Sequence, residues 1–207
     1  MLKIVAKNIT NNAIKELLEV SYIEAFRTSI FIVNYKGKEF YSFPFKDENN
    51  DIISHILINK NFRKVIHLDN NNNSYWIKKS KVFVPEYLLI SDRPELLIQY
   101  VSKKKHILNK TNYVCFSSNL FNKQTFEYIH RNIKFRKVIT VFSESSMKDI
   151  FKLKTAFLLN NSNIDFTKLE SSYLITSNGK TITTKKISYP YIRNRFKLKF
   201  KDPMTHK

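Results

Sequence analysis

The residues best placed for chemistry are polar side chains that end three apolar segments in the middle of the chain. Ser91, Ser118 and Ser143 close these segments, and Asp92 and Glu144 directly follow the first and the third. Carboxylates that meet at one edge of a sheet can hold Mg²⁺, which prefers hard anionic oxygen ligands. Serine hydroxyls are neutral and cannot offset the cost of dehydrating the ion. These strand ends are therefore where a metal site would have to lie.

The segments that position these residues alternate between two patterns. The runs KVFVPEYLLIS, NYVCFSS and KVITVFS are mostly apolar, and each is followed by residues with helical spacing. Continuous apolar strands that alternate with amphipathic helices are typical of a parallel sheet covered by helices, whose carboxyl edge carries the chemistry. We predict neighbouring parallel strands near Tyr87–Ser91, Tyr113–Ser117 and Val138–Phe142, with helices that start near Arg93, Phe121 and Ser145.

The order of these segments resembles the Toprim domain, and more closely the Toprim-like domains beside primase-type and mobilisation proteins of bacterial mobile elements. The residues that carry the resemblance are Leu89–Leu97, Ser117–Asn119 and Val141–Ser145, preceded by Phe43–Asn49 and Tyr75–Ile77. The resemblance runs from about Phe40 to Asn160. It implies an α/β fold, a nucleic-acid substrate and carboxylates that bind Mg²⁺ for phosphodiester chemistry.

The carboxylates that this resemblance requires are replaced in this chain. Ser91 stands at the position of the family's catalytic glutamate, Ser143 and Ser145 stand at its Asp-x-Asp motif, and Ser118 stands at its turn glycine. We therefore expect a catalytically degenerate domain without a metal cofactor.

A slip of one residue in this correspondence would bring Asp92 and Glu144, with Asp149, into a Mg²⁺ site and make the protein a nuclease or a primase-like enzyme. The competing interpretation is that these acids lie at helix amino termini, where negative charge interacts favourably with the helix dipole. Asp92 and Ser143 would then act as helix caps.

Charge is the strongest indication of a partner. The 207 residues carry a formal net charge of +19. The excess lies mainly in residues 101–207, which contain 22 Lys and Arg but 6 Asp and Glu. A field of this size attracts polyanions, of which nucleic acid, DNA or RNA, is the most common. An anionic membrane surface, an acidic protein or a larger protein assembly remain alternatives. Candidate phosphate contacts are Lys103, Lys104, Lys105, Lys110, Lys123, Arg131, Lys134, Arg136, Lys137, Arg193, Arg195, Lys197, Lys199 and Lys201.

Composition excludes several classes. Two glycines are too few for a P-loop or a dinucleotide fingerprint. The lone Cys115 excludes an intrachain disulfide framework. The scattered histidines do not form a metal-binding pair. The sequence contains neither an apolar run of membrane-spanning length nor the apolar centre of a signal peptide, so a cytoplasmic location is expected.

The remaining segments predict three parts, over residues 1–80, 81–161 and 162–207. The first part is a helix, Asn12–Ala25, followed by a small antiparallel meander in which DNNNNS is a hairpin loop between Lys64–Leu68 and Tyr75–Ile77. The last part is a basic β-hairpin that turns at Asn178-Gly179. Two interpretations of the terminal PYIRNRFKLKFKDPMTHK stay open: an arm that follows phosphates with stacking rings, or a final edge strand over FKLKFK in which lysines alternate with apolar residues.

Overall fold

The computed structural model describes residues 26, 28–59, 62–68, 73–80, 82–104, 108, 112–118, 120–143 and 148–197. The predicted helix Asn12–Ala25 lies outside these ranges. The chain forms two compact units, one made of residues 1–120 with 134–141 and the other of residues 121–133 with 142–207. Within the described ranges, no helix is long and apolar enough to cross a membrane.

The first unit is built on a mixed sheet of eight strands, which confirms the predicted α/β class. Its order is β4-β3-β2-β5-β7-β6-β8, and β1 pairs with β2 outside that path. The strands are β1 (Phe31–Tyr35), β2 (Lys38–Lys46), β3 (Ile52–Asn59), β4 (Phe62–His67), β5 (Tyr75–Lys78), β6 (Tyr87–Ser91), β7 (Tyr113–Ser118) and β8 (Lys137–Thr140).

The three predicted parallel strands are neighbours, as expected. Strand β6 pairs in parallel with β7 on one side and with β8 on the other. Every residue of β6 is buried, which explains why its sequence is apolar without alternation. We call the side of the sheet where β6, β7 and β8 begin the amino edge, and the side where they end the carboxyl edge.

Helix α1 (Pro94–Lys103) follows β6 and covers one face of this part of the sheet. Pro94 suits the first turn, where the missing N–H has no intrahelical acceptor to lose. Leu97 and Val101 project from α1 into the core that contains Leu89. Because α1 begins at the carboxyl edge and leads to β7, it ends at the amino edge. Tyr100 in its last turn accordingly lies near Tyr87, the first residue of β6, which helps to raise the pKa of Tyr100.

The antiparallel strands differ from the prediction in one connection. The predicted hairpin between β4 and β5 is wrong, because β4 pairs with β3 and β5 lies between β2 and β7. Strand β5 is antiparallel to both neighbours and joins the meander to the parallel strands in one continuous sheet. Its Trp76 is buried against Phe43, and the indole Nε1–H donates to the carbonyl oxygen of Ser29 at 2.7 Å. A residue that packs this deeply belongs inside a sheet rather than in an outer hairpin.

The second unit contains helices α2 (Lys123–Asn132), α3 (Lys148–Leu159) and α4 (Tyr189–Phe196) and a sheet of three antiparallel strands. These strands are β9 (Asp165–Lys168), β10 (Tyr173–Ser177) and β11 (Lys180–Thr184). The predicted turn joins β10 to β11: Asn178 and Gly179 both have positive φ, at 47° and 75°. Leu153, Phe157 and Ile175 lie in the core between the helices and this sheet.

Part of the chain end forms a helix that was not predicted. Residues 189–196 are helical, whereas most of FKLKFK, for which the edge strand was predicted, lies outside the described residues. Pro190 lies in the first turn of α4, where proline is tolerated, and Ile192 on its inner face is fully buried. Lys197 ends the helix in the left-handed conformation. Residues 198–207 lie outside the described ranges.

Candidate functional site

Ser91 and Asp92 lie at the carboxyl edge, as predicted. Ser91 is completely buried, and its Oγ accepts a hydrogen bond from the Arg93 backbone N–H at 3.0 Å. The same hydroxyl lies 3.4 Å from Asp92 Oδ1. Ser91 therefore fixes the turn from β6 into α1. Partial burial raises the pKa of Asp92 above its ordinary value.

Ser118 has a comparable structural role at the end of β7. Its Oγ lies 2.8 Å from the carbonyl oxygen of Leu120 and 3.2 Å from that of Ser74, and it accepts from the Leu120 backbone N–H at 3.2 Å. The side chain is completely buried. These contacts hold the turn after β7 and attach it to the residue before β5.

The remaining residues of the predicted metal site fall in the second unit. Ser143 is half-buried, and Asp149 lies in the first turn of α3, as expected for an acid that interacts with the helix dipole. Glu144 and Ser145 lie outside the described residues. Among the residues that the structure describes, no three His, Cys, Asp or Glu side chains are grouped so that they could hold a metal ion.

A carboxylate that the sequence did not single out lies beside Asp92. Glu95 in the first turn of α1 is almost completely buried, and its Oε1 accepts from Arg93 Nε at 2.7 Å and from Arg63 Nε at 3.2 Å. Both guanidinium groups are partly exposed, whereas Glu95 Oε2 is buried without a hydrogen-bond partner. Arg63 belongs to β4, so this cluster attaches the outermost strand of the meander to the start of α1.

Five of the predicted phosphate contacts lie in segments that reach the amino edge. Lys103 and Lys104 end α1, and Lys134, Arg136 and Lys137 lead into β8. All except Lys104 are exposed.

Of these five residues, Lys137 forms an ion pair with an acid of the described part of the chain. Its Nζ lies 2.8 Å from Glu86 Oε1. Hydrogen bonding to Lys137 lowers the pKa of Glu86, and the same bond raises the pKa of Lys137. Arg136 also acts electrostatically on Glu86, so it lies close to this pair.

The other described candidates lie in the second unit. Lys123 and Arg131 flank Glu127 on exposed positions of α2, at 3.7 Å and 3.4 Å. In α4, Arg195 lies over the ring of Tyr191 and donates to its hydroxyl. Arg193 is half-buried in the same helix, and Lys197 is exposed at its end. Lys105, Lys110, Lys199 and Lys201 lie outside the described residues.

The sequence patterns did not predict the exposed apolar segment Val82–Val84 at the amino edge. The run KVFVPEYLLIS is apolar almost throughout, and its strand is Tyr87–Ser91, as predicted. Val82, Phe83 and Val84 are exposed, and Phe83 is 82% accessible. Lys134 Nζ lies 4.7 Å from the centroid of the Phe83 ring. Pro85 was the available signal, because proline donates no ladder hydrogen bond and favours the start of a strand over its interior.

No protein-family model and no curated protein sequence matches this chain significantly. Two solved structures are distantly similar. One is the primase fragment of the bacteriophage T7 primase-helicase protein, with a TM-score of 0.48, 13% identity, and coverage of 66% of this chain and 56% of that one. The other is the bacteriophage T7 lagging-strand DNA polymerase interacting with primase domains of two gp4 subunits bound to an RNA/DNA hybrid and dTTP. Its TM-score is also 0.48, with 13% identity and coverage of 66% of this chain and 69% of that one.

Proposed function

We propose that this protein binds nucleic acid, DNA or RNA, mainly through phosphate groups. The proposal includes a Toprim-like domain that has lost its metal-binding carboxylates and works without catalysis, in the mobilisation of a mobile element, in DNA replication or in a ribonucleoprotein assembly. The observation that carries the binding proposal is the composition of the amino edge. Lys103, Lys104, Lys134, Arg136 and Lys137 reach this edge, and Glu86, an acid that lies beside them, is paired with Lys137.

The exposed cations at this edge suit a polyanion better than a small anion. Lys103 ends α1 and Arg136 lies directly before β8, and both side chains are exposed rather than gathered in a buried pocket. Separate exposed cations bind a polymer by displacing its condensed counterions, and each contact adds to affinity and to salt dependence. Basic residues on α4, among them Arg195 and Lys197, extend the same character to the second unit.

The test measures binding of labelled single-stranded and double-stranded DNA and RNA by fluorescence anisotropy at several salt concentrations. The dissociation constant should lie below about 10⁻⁴ M at physiological salt, the weak limit of non-specific binding. The double variant Lys103→Gln/Arg136→Gln should flatten the plot of log affinity against log salt by about 0.7 to 0.9 for each lost contact.

The matched control is Lys36→Gln/Lys38→Gln, which removes the same charge from exposed positions at the β1–β2 turn. It should leave the salt dependence close to that of the wild type. Equal effects of both double variants would mean that net charge alone attracts the polymer. Absence of measurable binding to all four polymers would overturn the proposal and leave a protein-interaction role as the better account. Lys103 also interacts with the dipole at the end of α1, so melting temperatures of all variants must be compared.

A further inference from the structure

The exposed segment Val82–Val84 is attached to the sheet at its carboxyl end. Pro85 directly after the segment is buried, and the Glu86 backbone N–H donates to the carbonyl oxygen of Asn112 at 2.9 Å. Within the segment, the Val82 backbone N–H donates to Ser80 Oγ at 3.1 Å. Phe83 is therefore exposed three residues before a point where the chain is fixed to the start of the parallel strands.

The phenyl ring of Phe83 is the most accessible large apolar side chain among the described residues. Exposing 82% of a phenylalanine forfeits most of the hydrophobic stabilisation that burial would give it. Lys134 Nζ lies 4.7 Å from the ring centroid, within the range of a cation–π interaction. The ring therefore combines an open aromatic surface with an adjacent positive charge.

The surroundings of the ring determine which partner suits it. Arg136 lies two residues from Lys134, is exposed, and interacts with the Glu86–Lys137 pair at the start of the parallel strands. An apolar protein surface would have to desolvate these cations, whereas a nucleic acid offers them phosphates. Proteins that hold single strands combine such cations with aromatic rings on which unpaired bases stack.

We propose that Phe83 is a stacking platform for an unpaired base and that the strand held at the amino edge is single-stranded. The inference rests on the proposed nucleic-acid binding and specifies its ligand. A base stacked on Phe83 brings its own backbone toward Lys134 and Arg136. Bases inside a duplex are already stacked on their neighbours and cannot use the ring, so the platform selects single strands.

The experiment compares three ligands of equal length by anisotropy: a single-stranded DNA, the same backbone with abasic sites throughout, and a blunt duplex. The wild type should bind the normal strand about 5- to 150-fold more tightly than the abasic strand, the range that stacking of one base contributes. Phe83→Ala should bring this ratio close to one and leave affinity for the abasic strand unchanged. Phe83→Trp should keep the ratio or raise it.

The matched control is Phe62→Ala, which removes another exposed phenylalanine ring of the same unit, on strand β4. It should leave the ratio of normal to abasic affinity unchanged. Phe83 is exposed, so Phe83→Ala should also keep the melting temperature of the wild type.

Three results would overturn the stacking proposal. An unchanged ratio in Phe83→Ala, with binding intact, would remove the platform but leave nucleic-acid binding standing. Duplex binding as tight as single-strand binding would also contradict the stacking platform and leave nucleic-acid binding standing. Sedimentation that shows a dimer in the wild type and a monomer in Phe83→Ala would assign the ring to self-association. Failure of the wild type to bind any of the three DNA ligands and either form of RNA would overturn the proposed function itself.

Discussion

Glu95 and Arg93 form a charged hydrogen bond of 2.7 Å at the point where β6 passes into α1. The two residues are separated by Pro94 alone, and the carboxylate is buried while the guanidinium is partly exposed. Arg63 donates to the same carboxylate oxygen from β4, far along the chain. A buried carboxylate requires such partners, because removing its charge from water is costly. The contact explains how an outer strand of the meander is fixed to the helix beside the carboxyl edge.

The variant Glu95→Gln should lower the free energy of unfolding by about 1–3 kcal/mol, because the acceptor of hydrogen bonds from two arginines loses its negative charge. Chemical denaturation measures the loss. Glu127→Gln is the matched control, since Glu127 also has two cationic neighbours but its side chain is 41% accessible, against 5% for Glu95. Exposed pairs contribute less than about 1 kcal/mol. An effect of Glu127→Gln as large as that of Glu95→Gln would contradict the importance of burial.

His55 predicts a loss of stability in mild acid. Its ring is buried, Nδ1 lies 2.6 Å from Ser42 Oγ, and Nε2 is buried without a hydrogen-bond partner. Burial lowers the pKa of His55 below the ordinary value of 6.5. Between the folded and unfolded pKa values the unfolded chain binds more protons, so stability falls as pH decreases through that window. Above about pH 6.5 the ring is neutral in both the folded and the unfolded protein, so His55 no longer lowers the free energy of unfolding.

Urea denaturation at several pH values should show this decrease in the wild type and a flatter dependence in His55→Gln. The other histidines titrate in both proteins, so the difference between the two curves isolates His55. Parallel curves would mean that His55 is protonated as easily in the folded protein as in the unfolded chain.

At the Asn178-Gly179 turn, replacing the glycine should cost free energy through backbone conformation and not through a steric clash. Gly179 has φ of 75°, and a Cβ built there would meet nothing within 4 Å. Gly179→Ala should therefore cost about 1 kcal/mol in the free energy of unfolding, from backbone strain alone. Thr181→Ala on the neighbouring strand β11 is the control for loss of a local side chain. Stability unchanged in Gly179→Ala would show that the hairpin tolerates alanine in the left-handed conformation.

Local sequence patterns predicted the parallel strands well, because β6 and β7 are buried on both faces and their apolar runs could not fit an exposed segment. The pairing of β5 could not be predicted in the same way. Its partner β7 lies far along the chain, and the four residues Tyr75–Lys78 carry no signal for a neighbour. Helix α4 was missed because FKLKFK alternates like a strand, whereas the helical part ends at Phe196.

The sequence likewise predicted one part of the candidate site and missed another. The positions of Ser91, Asp92 and Ser118 at the carboxyl edge follow from where apolar runs end. The buried ion cluster around Glu95 does not, because Arg63 reaches it only through the fold. The exposure of Phe83 could not be predicted for a different reason. Its neighbours Val82 and Val84 are apolar, as in a core segment, and whether a side chain is exposed depends on the tertiary fold.

The carboxyl edge should not bind Mg²⁺ tightly. The Ser91 hydroxyl already accepts a hydrogen bond from the Arg93 backbone N–H, and serine stands at two further positions, Ser143 and Ser145, where the resemblance requires carboxylates. A hard divalent cation needs several anionic or strongly polar oxygens at once, and a neutral hydroxyl already used in a turn is a poor substitute. Calorimetric titration with Mg²⁺ and Mn²⁺ should therefore show no saturable binding in the micromolar range.

The variants Asp92→Asn and Glu144→Gln make the metal titration decisive. If this edge holds no metal, both variants should give the same calorimetric baseline as the wild type. Lys103→Gln/Arg136→Gln serves as the control for charge, since it lies at the opposite edge of the parallel strands. Saturable binding in the wild type that disappears in Asp92→Asn and in Glu144→Gln, but survives in the charge control, would show a working metal site. That outcome would favour a Mg²⁺-dependent nuclease or primase-like enzyme and would make phosphodiester cleavage or synthesis the next activity to measure.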